Sequence, residues 1–182
     1  MVLLFGNDNM ELLEEIRSFV CVFENEIAIK ERFISFIEEN DNCFERTLLI
    51  GHITASAFVF DPNTSKVLLL HHKKLDKWLQ PGGHCDGNTN TVEVALTEVW
   101  EETGLKIANP SNKIFDLDIH TIPEHKNVPE HEHFDVRYLF EADSNVSLIQ
   151  NHETNELKWV SIADIENYTK EESILRMVKK LI

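Results

Sequence analysis

The run Gly83-His-Cys-Asp-Gly-Asn-Thr-Asn-Thr-Val-Glu-Val-Ala-Leu-Thr-Glu-Val-Trp-Glu-Glu-Thr-Gly-Leu105 constrains this chain more than any other stretch. It reads as a glycine turn followed by a helix with both ends marked. Asn90 stands where an N-cap accepts the first free amides, with Glu93 three residues on in the capping-box position. Gly104 supplies the left-handed stop that ends a helix without a Cβ clash. Within those limits Glu98 is three residues from Glu101 and four from Glu102, so all three carboxylates share one side of the helix. Their like charges repel unless a cation sits among them, which marks a site for a divalent metal and phosphate.

The rest of the chain supplies a frame for that helix. From Asn9 to about Asn40, Leu12, Leu13, Ile16, Phe19 and Val20, then Ile27, Ile29, Phe33, Ile34 and Ile37, recur at helical spacing among many glutamates. Two amphipathic helices are expected there. From Leu48 to Phe60 the residues turn apolar and β-branched and are closed by Asp61-Pro-Asn-Thr-Ser, so a strand is expected, with Lys66–His71 returning as its hairpin partner. Ile114–Ile122, Phe134–Glu141 and Leu157–Ser161 read as further strands, and the residues from Ile162 as two short helices. Strands and helices in this mixed order point to a sheet with helices on its faces.

Composition narrows the partners. With 17 basic and 32 acidic residues the net charge is -15, which repels polyanions and leaves no basic face for duplex nucleic acid. A small phosphorylated substrate that arrives with metal ions remains compatible. Cys21, Cys43 and Cys85 are odd in number and widely spaced, so neither a disulfide framework nor a zinc knuckle is expected. The start, Met1-Val-Leu-Leu-Phe-Gly, is too short for a signal segment, and no stretch reaches membrane-spanning length. The expectation is a cytoplasmic protein that does not engage membranes.

On these residues the chain resembles the Nudix hydrolase superfamily. Gly83 with Glu98-Val-Trp-Glu-Glu-Thr-Gly-Leu105 is similar to the Nudix box, written G-x5-E-x7-R-E-U-x-E-E-x-G-U with U a bulky apolar residue. Leu79-Gln-Pro-Gly-Gly-His84, Gly51-His-Ile-Thr-Ala-Ser-Ala57 and His133-Phe-Asp-Val-Arg137 resemble one bacterial branch of MutT-like proteins. The resemblance implies an α+β architecture, an αβα sandwich around a mixed sheet, over residues 47–182, with residues 1–46 as an N-terminal helical segment. It implies hydrolysis of a pyrophosphate bond in a nucleoside diphosphate linked to another moiety, or in a similar small metabolite, with Mg²⁺ or Mn²⁺. Glu98 and Glu102 would be the main metal ligands, the Gly83 carbonyl a further one, and Glu101 a ligand or water-positioning group. Glu98, Glu101 and Glu102 are thus the catalytic candidates. The general base stays open among Glu98, Glu130, Glu132 and Glu153. Two box positions depart from the pattern: its first Glu falls on Thr89 and its Arg on Thr97. Losing both members of a pair leaves no stranded charge, so metal binding is expected to survive with the loop held by other contacts. The loss also motivates an alternative, a nucleotide-sensing module without turnover. An isomerase of the isopentenyl diphosphate type using Cys85 ranks below both, because that family's cysteine lies on a different element.

Outside the box the candidates are substrate contacts. His131, His133, Asp135 and Arg137 alternate, so an extended strand would put them on one face, opposite Phe134, Val136, Tyr138 and Phe140. A His-x-His-x-Asp row suits metal or phosphate as well as it suits exposed histidines beside a local Asp–Arg contact. Lys73 offers charge to a distal phosphate, and Trp78 offers a ring to a base, against the plainer readings of a solvated turn and a core aromatic. His71, His72, His84 and His120 read individually as ordinary polar groups, and Asp86 as an outer metal ligand. Trp100 is expected to pack the carboxylate helix on the sheet. The N-terminal helices are expected either to cover the pocket or to form a homodimer contact.

Overall fold

In a computed structural model the described residues are 7–152 and 154–182. The apolar start Met1–Gly6 and the base candidate Glu153 lie outside them. The first helices, α1 (Asn7–Ser18) and α2 (Asn25–Glu39), form where the apolar periodicity predicts them. Their stripes, Leu12, Leu13 and Ile16 from α1 and Phe33, Phe36 and Ile37 from α2, are buried in the same cluster as Ile53, Phe134 and Val136 of the sheet. The Phe36 ring lies flat on Phe134 at 3.9 Å between centroids, and Phe33 meets the same ring edge-on at 5.3 Å. Burying an aromatic of this size contributes roughly 1.5–3 kcal/mol, so the helices draw their stability from the sheet rather than from each other alone.

The strands are β1 (Gly51–Asp61), β2 (Lys66–His72), β3 (Lys77–Leu79), β4 (Gly82–His84), β5 (Ile114–Ile122), β6 (His131–Glu141) and β7 (Thr154–Ser161), with α3 (Thr91–Thr103) between β4 and β5. A 3₁₀ helix (Ile162–Asn167) and α4 (Glu172–Leu181) follow β7. The sheet runs β3-β2-β1-β6-β5, with β4 also on β1 and β7 also on β2. Among the described residues only β1 and β6 pair in parallel. The expected β1–β2 hairpin holds at its turn alone, Phe60 opposite Val67 and Asp61 opposite Lys66. Beyond that the two strands part, and β6 and β4 take β1 while β7 and β3 take β2. The first strand starts at Gly51 rather than Leu48, because Leu48 to Gly51 turn on main-chain bonds from Leu48 to Glu45 and from Gly51 to Leu48. Leu49 and Ile50 are consequently exposed.

Helices cover both faces. Val94, Ala95 and Val99 of α3 join α1 and α2 in the larger cluster. Ile165 of the 3₁₀ helix and Ile174, Met177 and Val178 of α4 pack with Phe58, Val67, Leu69 and Val160 in a second. The result is the expected mixed α+β architecture. Among the described residues no helix is long and apolar enough to cross a membrane. Trp100 differs from expectation: it is 53 % exposed. It sits between Val99, which is buried, and Glu101, on the outer side of α3, and the seam is supplied by buried Val94, Ala95 and Val99 with partly buried Val92 and Leu96.

Candidate active site

Helix α3 begins and ends as its caps dictate. The Glu93 amide donates to Asn90 Oδ1 at 3.1 Å, and Gly104, at φ 70°, donates its amide to the Trp100 carbonyl at 2.8 Å. The capping box closes differently from its usual form, since the Asn90 amide donates to Asn88 Oδ1 and the Glu93 carboxylate accepts from Asn88 Nδ2. Glu101 is exposed, Glu98 half-buried and Glu102 buried at 7 %. The glycine turn is pressed onto this row. The Gly82 amide donates to Glu102 Oε2 at 3.0 Å. A Cβ at Gly83 would lie 2.1 Å from Glu98 Oε1, so residue 83 has room for this carboxylate only as glycine. One at Gly82 would lie 2.3 Å from the Ser56 side chain, a consequence of β4 lying close on β1.

Behind the turn, the second face of the sheet is polar in ordered rows. The pairing sets His52 opposite His133 and His133 opposite His120, then Thr54, Asp135 and Asp118, then Ser56, Arg137 and Asp116, with His84 of β4 opposite Thr54. Asp135 accepts from Ser56 Oγ at 2.8 Å, Thr54 Oγ1 at 3.1 Å and Arg137 Nε at 2.7 Å. Arg137, 3 % exposed, also meets Asp118 at 3.0 Å. Arg176 of α4 forks onto Asp116 at 3.0 and 2.6 Å and reaches Asp118 at 3.2 Å, and Lys180 bridges Asp116 to the fully buried Glu26 of α2. Burial alone would raise the Asp118 carboxyl, but Arg137, His120 and Arg176 overcome it and hold it well below the usual carboxylate range. The expected row on β6 therefore divides: Asp135 and Arg137 face a charge-matched interior, and His131 and His133 face His52.

This arrangement has counterparts among known proteins. The NUDIX domain model matches residues 51–181. The chain belongs to the Nudix family. It is 31 % identical over 140 residues to a probable DHNTP pyrophosphohydrolase of Lactococcus lactis subsp. cremoris (strain MG1363), covering 74 % of this chain and 80 % of that one. A Nudix-family hydrolase structure from Clostridium perfringens is 28 % identical, with a TM-score of 0.50 over 71 % of this chain and 95 % of the other. The E. coli dihydroneopterin triphosphate pyrophosphohydrolase, 15 % identical, shares the fold at a TM-score of 0.57 over 70 % of this chain and 92 % of its own. This protein is a Nudix pyrophosphohydrolase.

In this Nudix enzyme the box positions Thr89 and Thr97 carry no charge, and other contacts hold the loop. Arg46, just before β1, grips Asp86 with two nitrogens. The Gly87 amide donates to the Phe44 carbonyl at 3.1 Å and the Asn88 amide to the Cys85 carbonyl at 2.9 Å. Thr97 Oγ1 donates back to the Glu93 carbonyl. Asp86, expected near the metal, is thus half of an exposed ion pair that lowers its own carboxyl below the ordinary range. Cys85 is buried at 3 % and burial drives its thiol up, which removes the thiolate a nucleophile needs. Of the base candidates, Glu130 is exposed and Glu132 pairs with Arg32 at 2.6 Å. Lys73 is exposed in the β2–β3 turn, and Trp78 of β3 stacks on His71 at 5.2 Å and meets Tyr168 edge-on at 5.3 Å. Both belong to that hairpin and not to the carboxylate row. A surface hollow of about 690 Å³, bounded by Pro62, Pro110, Phe115 and Leu139, holds none of the candidates.

Sequence reasoning missed His52, Arg46, Arg176 and Lys180. The local signal was present only for His52, inside Gly51–Ala57. The others act across 40 residues of chain or more, where spacing carries no information.

Proposed function

We propose that this Nudix enzyme hydrolyses a phosphoanhydride bond with Mg²⁺ or Mn²⁺ held by Glu98, Glu102 and the Gly83 carbonyl, with Glu101 as a further ligand or water-positioning group. The single observation behind this reading is the seat of the carboxylates on the glycine turn. Gly83 leaves open the space that a side chain would fill beside Glu98, and the Gly82 amide fixes Glu102. The donors are all oxygen, which suits a small hard cation. When bound, such an ion neutralises the diphosphate and makes water a stronger nucleophile near neutral pH.

The chain's own groups do the rest. The Gly82 N–H donates to Glu102 Oε2 and so orients this carboxylate. Glu98, half-buried, lies against a main chain without a Cβ, in the room that Gly83 leaves for it. In this reading Glu98 also takes a proton from water, with Glu130 as the alternative on a loop, since Glu132 is engaged by Arg32. The strong negative charge of the chain disfavours polymeric nucleic acid and suits a small substrate that arrives as a metal complex.

The substrate class follows from these groups only as far as the anhydride. A nucleoside diphosphate linked to another moiety is the reading carried by the box, and the relatives in L. lactis and E. coli add dihydroneopterin triphosphate to the compounds to be tried. The test is a screen of nucleoside triphosphates, dinucleoside polyphosphates, ADP-ribose, NADH, sugar nucleotides and this pterin triphosphate, each with Mg²⁺ or Mn²⁺, read as released phosphate or pyrophosphate. Glu102→Gln should lower turnover of the best substrate by at least the order of 10²–10³ that one electrostatic group is worth in an active site. Full turnover in that variant would overturn the assignment.

A further inference from the structure

Three ring nitrogens that need partners meet at the end of the polar face. His52, 3 % exposed on β1, has no hydrogen bond at either ring nitrogen among the described residues, and His133 Nε2 on β6 is buried in the same state. The Leu48 backbone stands close enough to favour the charged form of His52 slightly, but without the geometry of a hydrogen bond. A buried polar atom left unpaired forfeits its hydration with no return, so a set of them in one place asks for a ligand. The rings of His52, His131 and His133 lie 4.8 to 5.2 Å apart, and one ligand atom from each falls within 4.8 Å of the others. Ring stacking accounts for the contact but satisfies none of these nitrogens.

His131 shows which atom it offers. Its Nδ1 lies 2.9 Å from the Pro129 carbonyl, and a carbonyl can only accept, so the proton is on Nδ1 and the Nε2 lone pair is bare. A second hydrogen bond of this kind is what fixes the tautomer and direction of metal-binding histidines. We propose that His52, His131 and His133 bind a divalent transition-metal ion of the zinc class, at a site distinct from the glutamate row of α3.

The donor set makes the distinction. Three neutral imidazoles suit Zn²⁺, Co²⁺, Ni²⁺ or Cu²⁺ and are poor ligands for Mg²⁺, which demands oxygen; Glu98, Glu101 and Glu102 have the opposite preference. An ion about 2.0–2.1 Å from each nitrogen needs the three nitrogens no more than about 4.2 Å apart, inside the 4.8 Å that bounds them now. Rotation about the last side-chain torsion, which is broad for histidine, supplies that adjustment. Three protein ligands leave a fourth position open, flanked by His84, 5.1 Å from His52 and 5.0 Å from His133 between ring centres. His84 directly follows Gly83, so this flanking ring is one peptide away from the glycine turn of the carboxylate row. An ion here would also tie the first residues of β1 to those of β6, the one parallel pair in the sheet.

The experiment uses the full chain without a histidine tag, stripped with chelator and kept in excess Mg²⁺ so that the carboxylate row is saturated. Co²⁺ is titrated in, followed by its visible absorption and by calorimetry, and Zn²⁺ is then used to displace it. The expected result is one saturating equivalent of Co²⁺. His131→Asn and His52→Gln should each weaken it by at least the roughly 10–100-fold that even an outer partner of a metal ligand is worth. His131 lies at the strand's start and is half-buried, so that variant is expected to fold if the His52 one does not. Glu98→Gln and Glu102→Gln should leave Co²⁺ binding unchanged. The proposal is overturned by absence of saturable Co²⁺ binding, by binding that survives both histidine variants, or by binding lost in the glutamate variants. Histidine-dependent binding of inorganic phosphate without binding of Co²⁺ would also overturn it, and would assign the cluster to an anion. None of these outcomes depends on turnover, so the site stands or falls apart from the hydrolytic reading.

Discussion

Two groups of three carboxylates in this protein are built in opposite ways. Glu98, Glu101 and Glu102 follow one another on a single helix at the edge of a glycine turn, where the main chain supplies the Gly82 amide and the bare Gly83. Asp116, Asp118 and Asp135 come from two adjacent strands and face Arg137, Arg176 and Lys180 in the interior. Crowded acids alone therefore say little about function. Where the chain's own cations lie between them they hold layers together, and where glycine main chain lies against them the proposed role is to hold an ion from solution.

The largest expected effect tests the interior group. Arg176 anchors α4 to two strand carboxylates and the Leu117 carbonyl, so Arg176→Met should destabilise the fold by about 3–5 kcal/mol, because it strands buried negative charge. Chemical denaturation measures this directly. A loss below about 1 kcal/mol, the ceiling for an exposed pair, would mean that the network is dispensable and the comparison misdrawn. Turnover per folded molecule should change far less than stability.

Gly83→Ala tests the edge group and should do the reverse. Its Cβ meets the far end of a flexible side chain, so Glu98 can move aside with little effect on folding. The displaced carboxylate is what activity loses: a misplacement of about 1 Å in an active site costs on the order of 10²-fold in rate. Stability close to that of the parent together with that rate loss would bear out the contrast. An unchanged rate would remove Glu98 from the site.

These two groups also differ in how much of each is legible in the amino-acid sequence. The helix is legible because every relevant interaction lies within one or two turns: Asn90 with Glu93, Glu98 with Glu102, Gly104 with Trp100. The apolar face of β6 is legible for the same reason, as Phe134, Val136, Tyr138 and Phe140 alternate into the core. Its polar face is half-legible. Alternation puts Asp135 beside His133, but only the parallel pairing of β1 with β6 brings His52 to the histidines and sends Asp135 to Ser56 and Thr54. Register between strands about 80 residues apart in the chain leaves no local trace. Strands β3 and β4, three residues each, escape a reading by periodicity because they are too short to show a period.

A smaller effect separates the groups by pH. Asp118 has a folded-state carboxyl held below its unfolded value, so its contribution to stability is fully present above about pH 4 and is lost as pH falls through the folded value. Below about pH 4 the parent should lose stability more steeply than Arg176→Met, in which one of the cations responsible is gone. Thermal melts of both proteins from about pH 3 to pH 7 give the difference; parallel curves would show that Arg176 does not set this titration.

The smallest effect concerns the loop that lacks the box's own Glu and Arg. Arg46 and Asp86 supply an ion pair in the same loop, but both are exposed, and an exposed pair is worth about 0–1 kcal/mol. The main-chain bonds of Gly87 to Phe44 and of Asn88 to Cys85, and the Asn88–Asn90 ladder, remain when Arg46 is removed. Arg46→Ala should accordingly lower stability by less than about 1 kcal/mol and change kcat by only a few fold, with the effect fading as salt is raised. A loss of activity comparable to Gly83→Ala would mean that this pair, and not the backbone, fixes the turn against Glu98. Charge would then hold the edge group as it holds the interior one, and the difference between them would reduce to whether the cation sits outside the carboxylate row or within it.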